Sequence, residues 1–236
     1  MRAIFSALVA LLGLPAAAQS QDDLRRQCFK VDDRPALRIA ICTKLIEANR
    51  DKPADLAIAH SWRASAFRDV GEFDKSLADC EQAISLDPTN ARGFICRGHT
   101  FKEKGEPGRA LPDYDRAVAL KPDSKSLYHR CEANAVLDRL EAALADCDAA
   151  LKLRPDDFLI NDSRGMVYLK MKNYRAAIAD YNVVLAVDPD FALPLFGRGV
   201  ARLRSGDRAG GQADIAKAIK EDPEVTDIMA KRGIRP

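Results

Sequence analysis

The apolar and polar positions divide the chain into a short leader and a long periodic body. Behind Met1 and Arg2, residues 3–14 are almost continuously apolar, and Pro15 and Ala16-Ala17-Ala18 lead into polar Gln19–Asp22. A basic start, an apolar run of about a dozen residues and an A-x-A exit are the parts of a secretory signal peptide. The run falls short of the roughly 20 residues a permanent membrane span needs. Residues 1–18 are therefore expected to direct export and be removed, leaving a periplasmic or secreted protein without a membrane span. No cysteine stands at the expected cleavage junction.

Beyond residue 55 the apolar residues recur at spacings of three and four on either side of small turns, the period of a helix with one buried face. In the stretch 71–88, Phe73, Leu77, Cys80, Ala83 and Ile84 form such a stripe after Gly71, and Pro88 stops the helix. Prolines then return at Pro122, Pro155, Pro189 and Pro223, at intervals of 34, 33, 34 and 34 residues. Self-similarity at this period marks stacked supersecondary units. Within each unit an arginine precedes a small residue (Arg63-Ala64, Arg97-Gly98, Arg130-Cys131, Arg164-Gly165, Arg198-Gly199), and Ala83, Ala117, Ala150, Val184 or Ala218 stands five residues before the proline.

This pattern resembles the tetratricopeptide repeat (TPR), with a small residue at position 8, an aromatic at 11, alanine at 20 and 27 and proline at 32. The resemblance covers about 55–223 and implies an all-α, right-handed solenoid of antiparallel helix pairs. Five repeats are expected at about 57–90, 91–123, 124–157, 158–191 and 192–223. Asp22–Val31 and Pro35–Arg50 read as a capping helix pair within 19–54, and 224–236 as a C-terminal cap whose short helix is stopped by Gly233. Such caps are needed because each repeat is covered only by its neighbours. Two units depart from the pattern. The third carries Cys131, Asn134 and Asp138 where small, aromatic and glycine residues are usual, and the fifth has Gly211 in place of alanine, which predicts a weaker second helix.

Charge adds a second periodicity. Each unit pairs Arg at position 7 with Asp sixteen residues later: Arg63/Asp79, Arg97/Asp113, Arg130/Asp146, Arg164/Asp180 and Arg198/Asp214. Equal numbers of carboxylates make these a ladder between first and second helices rather than an anion-binding stripe. Overall, 37 Lys+Arg against 35 Asp+Glu leave a net charge of +2, which disfavours a nucleic-acid binder. The 47% hydrophobic and 31% charged residues place the chain among folded proteins.

Six cysteines allow fifteen pairings. Cys28 and Cys42 are centred on Pro35, Cys80 and Cys96 on Pro88, and Cys131 and Cys147 on Arg139, so each pair stands at one height on adjacent antiparallel helices. Axes about 8–10 Å apart bring facing Cα atoms within disulfide reach. The expected bonds are Cys28–Cys42, Cys80–Cys96 and Cys131–Cys147.

Catalytic and metal-site motifs are missing: there is no C-x-x-C, H-E-x-x-H, G-x-S-x-G or phosphate-cradling loop. Cys80, Cys96 and His99 amount at most to an incomplete metal site. No catalytic residue, metal or cofactor is assigned, and the chain is expected not to be an enzyme.

The resemblance implies that positions 2, 5, 9, 12 and 13 of the first helices line a concave groove. Units one and two supply Ser61, Ser65, Arg68, Asp69, Arg92, Ile95, His99, Lys102 and Glu103. Units three to five supply Lys125, Tyr128, Glu132, Met166, Leu169, Lys170, Leu193, Phe196, Val200, Leu203 and Arg204. One half is polar and mixed in charge, the other apolar with basic edges. The family's clamp for chaperone C-termini is not reproduced, since Ser65, His99 and Glu132 occupy position 9. The groove residues expected to bind a protein or peptide partner are Tyr128, Met166, Leu169, Lys170, Phe196, Leu203 and Arg204, with His99 and Lys102 beside them. Alternatively the C-terminal cap folds onto this surface. The functional expectation is a monomeric envelope adaptor; the alternatives are a fixed subunit of an envelope assembly for secretion, polysaccharide export or cofactor maturation, or a metal or redox accessory.

Overall fold

The computed structural model describes residues 20–30, 34–48 and 52–236; the expected signal peptide lies outside them. They form thirteen helices and no strand: α1 (Gln21–Lys30), α2 (Pro35–Ala48), α3 (Pro53–Asp69), α4 (Phe73–Leu86), α5 (Ala91–Glu103), α6 (Pro107–Leu120), α7 (Ser124–Val136), α8 (Leu140–Leu153), α9 (Phe158–Lys170), α10 (Tyr174–Val187), α11 (Ala192–Ser205), α12 (Arg208–Glu221) and α13 (Val225–Lys231). Each even-numbered helix from α4 to α12 ends two residues before one of the period-setting prolines. Proline disfavours helical geometry in the residue before it, so the spacing in sequence becomes the spacing of helix ends.

Helix starts are fixed as locally. Asn90, Asp123, Asp157, Asn173 and Asp207 accept hydrogen bonds from backbone N–H groups of the following first turns, satisfying donors that a bare helix end leaves open. Pro53 and Pro107 open α3 and α6, where a missing N–H is harmless. At the mid-unit turns Gly71, Gly105 and Gly206 adopt φ of 78°, 79° and 100°; units three and four place Asp138 (φ 55°) and Lys172 (φ 62°) in the same left-handed conformation.

Successive helices pack in order, α1 on α2 and onward to α12, and first helices also touch first helices of adjacent units. The result is five helix pairs, α3/α4 to α11/α12, between a leading pair and a trailing helix, as the period predicts. In the fifth unit, α12 spans Arg208–Glu221 despite Gly211. Its glycine serves close approach: a Cβ at Gly211 would lie 2.8 Å from the Gly199 carbonyl oxygen and 2.7 Å from Leu203 Cγ.

All five arginine–aspartate pairs form, each bidentate. Nε and Nη2 of Arg63 reach Asp79 at 2.7 and 2.7 Å, and those of Arg164 reach Asp180 at 2.8 and 2.8 Å. Arg97, Arg130 and Arg198 hold Asp113, Asp146 and Asp214 in the same way. The five aspartates are buried. Burial alone would raise the Asp79 carboxyl, but Arg63 and His60 hold it below the usual carboxylate range. The ladder also runs between units. Arg63 donates to Thr43 (3.0 Å), Arg130 to Asp115 (3.2 Å), Arg164 to Asp148 (2.7 Å) and Arg198 to Asn182 (2.8 Å), each on the preceding helix pair.

Cysteines lie in three bonded pairs with none free among the described residues. Cys28–Cys42 joins α1 to α2 with a Cα–Cα distance of 5.0 Å, Cys80–Cys96 joins α4 to α5 at 5.7 Å, and Cys131–Cys147 joins α7 to α8 at 5.5 Å.

Candidate functional site: the concave groove

First helices place their groove positions on one face, and the structure divides that face in two. Around α3, α5 and α7 the lining is polar and internally paired. Arg68 lies 3.0 Å from Ser65 Oγ and 3.0 Å from Glu103, and Lys102 reaches Glu132 at 3.2 Å. His99 Nε2 stands 3.2 Å from His129 Nδ1. Burial, then the neighbouring His129, holds His99 well below its ordinary value; burial also lowers His129, against the pull of Glu132. Both imidazoles are thus uncharged at neutral pH. Cys80 and Cys96 are spent in their disulfide, which removes them from any metal set with His99.

Around α7, α9 and α11 the groove opens into a cleft of about 860 Å³. Its walls include Tyr128, Met166, Leu169, Lys170 and Arg204, with Lys102 at one edge, so the structure brings these expected residues together. Val200 and Leu193 join them from α11. Lys170 is fixed by the Ala135 carbonyl (3.0 Å) and Asp138 (2.7 Å).

Phe196, Leu203 and His99 do not line the cleft. Phe196 is 0% exposed in a core cluster shared with Val225, Met229 and Ile234 of the C-terminal segment. Leu203 sits over Gly211 of α12, and His99 packs among His129 and Tyr114. The expectation of an open apolar surface is corrected accordingly. The alternative placement of the C-terminal cap describes this end of the molecule: α13 packs on α11, and residues 231–235 form one wall of the cleft.

Sequence reading missed Asp162. It occupies position 5 of the fourth unit and lines the cleft from α9. Burial, with Glu132 adding to it, raises its carboxyl to about 6 against the pull of Arg232. The repeat register supplied the signal, since position 5 is a groove position, but its carboxylate is indistinguishable in sequence from those on solvated faces.

Matches to tetratricopeptide repeat family models span residues 57–90, 97–158 and 163–226. The chain belongs to the tetratricopeptide repeat family. Among solved structures it resembles a tetratricopeptide repeat protein from Parabacteroides merdae, at 20% identity and a TM-score of 0.69, over 92% of this chain and 85% of that one. It also resembles YrrB, described as a TPR protein with an unusual peptide-binding site, at 22% identity and a TM-score of 0.60, over 82% and 98% of the two chains. MamA is similar at 22% identity and a TM-score of 0.59, over 76% and 97%. No curated protein matches the sequence. Among the described residues, no helix is long and apolar enough to cross a membrane.

Proposed function

We propose that this protein is a non-catalytic interaction scaffold of the cell envelope, exported by residues 1–18, that holds a peptide or partner protein in the C-terminal half of its concave groove. The observation that carries the reading is the 860 Å³ cleft, floored by buried Met166, Leu169 and Val200 and walled by half-exposed Tyr128 and Leu193. An apolar concavity with a few fixed polar groups is what peptide recognition requires. The peptide-binding site for which YrrB is described supports the same use of the fold. The leader and three disulfides agree with an oxidising compartment.

Crosslinking in the native cell, followed by partner identification, tests the proposal. Tyr128→Glu and Leu193→Asp place charge on the cleft wall at half-buried positions, and each is expected to abolish capture while leaving the thermal melt unchanged. Undiminished capture by both variants sinks the groove reading. N-terminal sequencing of protein from the envelope fraction tests export separately, with residue 19 the expected first residue.

A further inference from the structure

Asp162 has no hydrogen bond or ion pair among the described residues, whereas Glu132 is fixed by Lys102 and Asp138 by Lys170. Half-buried and without a partner, the Asp162 carboxylate faces open cleft volume. What stands across from it is the chain's own tail. Gly233, at φ 81°, turns the chain at the end of α13, and Ile234, 5% exposed, returns into the cluster that contains Met166, Leu169 and Val200. Arg204 donates to the Arg235 carbonyl at 3.2 Å, a groove side chain holding the backbone of the segment that follows the turn. The Arg232 charge acts on Asp162 without an ion pair forming.

We propose that units three to five read a short basic and aliphatic peptide, Asp162 facing its cationic side chain and the Met166–Leu169–Val200 floor receiving its aliphatic one. The Arg232-Gly233-Ile234 turn holds that place until the partner displaces it. The proposal rests on the reading of the concave face as a peptide groove and names what that groove selects. The local charge at Asp162, rather than the cleft's overall balance, favours a cationic side chain there. Two of the cleft's cations, Arg232 and Arg235, belong to the tail and leave with it, Lys231 stays at the end of α13, and Lys102 and Lys170 are neutralised in place. Lys172 and Arg204 stand exposed at the rim, and Asp162 is left as the unpaired charge on the α9 wall.

The test uses the full chain carrying Ile234→Asp, which evicts the tail while Val225 and Met229 still anchor α13. The probe is the fluorescein-labelled peptide Ala-Lys-Arg-Gly-Ile-Arg-Pro, read by fluorescence anisotropy. Saturable binding is expected, at least about tenfold tighter than to the unaltered chain, whose tethered tail competes at high effective concentration. Replacing the peptide's arginines by glutamine should weaken binding about tenfold, the scale of one charge-assisted hydrogen bond.

Asp162 feels Arg232 from the tail and Glu132 from α7, and the phenols of Tyr128 and Tyr181 lie in its field. With its carboxyl near 6, affinity should rise about tenfold from pH 5 to pH 7 as it ionises, and Asp162→Asn in the same background should abolish that rise. The proposal is overturned by any of three results: no binding to a variant whose circular dichroism and melt are native, equal binding by the unaltered chain, or equal binding of a peptide with glutamate for arginine. Ile234→Ser replaces Ile234→Asp if the latter does not fold. Partner capture that still depends on Tyr128, together with failure of this peptide to bind, would leave the groove standing and remove only the basic-aliphatic preference.

Discussion

Units three and four solve one packing problem in two ways. Position 24, on the second helix where it meets the first, is Cys147 in unit three and Tyr181 in unit four. In unit three a disulfide to Cys131 of α7 fills the contact. In unit four the ring of Tyr181, 0% exposed, fills it, seated so closely against glycines that a Cβ would lie 3.0 Å from the ring at Gly165 and 2.5 Å from it at Gly197. The same alternation holds earlier, with Cys80 in unit one and Tyr114 in unit two. The contrast extends to whole regions. From α1 to α8 the apolar clusters are smaller, one of them reaching into α9 through Ile160 and Val167, and three covalent links cross between helices; from α9 to α13 there is no cysteine, and one continuous cluster runs from Met166 through Phe196 to Ile234. The front of the solenoid is stapled and the back is filled.

Reduction tests this division most severely. A disulfide closing a loop of about fifteen residues stabilises by about 3 kcal/mol in the entropic account. Three lost together should raise amide exchange throughout α1–α8 while α9–α13 keep their protection, as hydrogen-exchange mass spectrometry would show. Uniform loss along the chain would mean that the two regions are one cooperative unit.

The converse experiment is Phe196→Ala. Removing a fully buried ring costs about 3–5 kcal/mol, and the melt should fall with exchange rising in α11–α13 ahead of the stapled helices. A smaller effect is expected of Asp162→Asn. The folded carboxyl is raised from 3.8 to about 6, so the folded state binds the extra proton and stability falls as pH rises between those values. Asparagine should therefore stabilise the protein by roughly 1–2 kcal/mol at pH 7 and by nothing below about pH 4, measured by urea titration at both pH values. The smallest effect belongs to Lys172→Gly. A lysine at φ 62° carries a left-handed penalty of roughly 1 kcal/mol, partly offset by the greater freedom of glycine in the unfolded chain, so the melting temperature should rise slightly.

Much of this architecture is legible because it is periodic. The prolines, the alanines at helix crossings and the arginine–aspartate pairs each repeat, so one unit's pattern is checked by four others, and the cysteine pairs follow from symmetry about the turns. What repetition does not encode is what sequence left hidden. The Arg-Gly-Ile-Arg-Pro end has no helical period, and its place is decided by contacts with α9 and α11 that are distant in the chain. Asp162 differs from a solvated aspartate only through the tail and helices that enclose it. Phe196 occupies a groove position by register, yet α13 turns that position into core. The reach of Arg130, Arg164 and Arg198 back to the preceding unit likewise follows from the superhelical angle between pairs rather than from any spacing within one.

The order of the disulfides carries a consequence for how the chain matures. Each cysteine is bonded to the next one along the sequence, first with second, third with fourth and fifth with sixth. For a chain that emerges amino end first, an oxidant that joins every newly exposed thiol to the one just before it arrives at the native set among fifteen. No wrong bridge has to be broken on that route, so the slow reshuffling of seconds to hours that limits many oxidative foldings is bypassed.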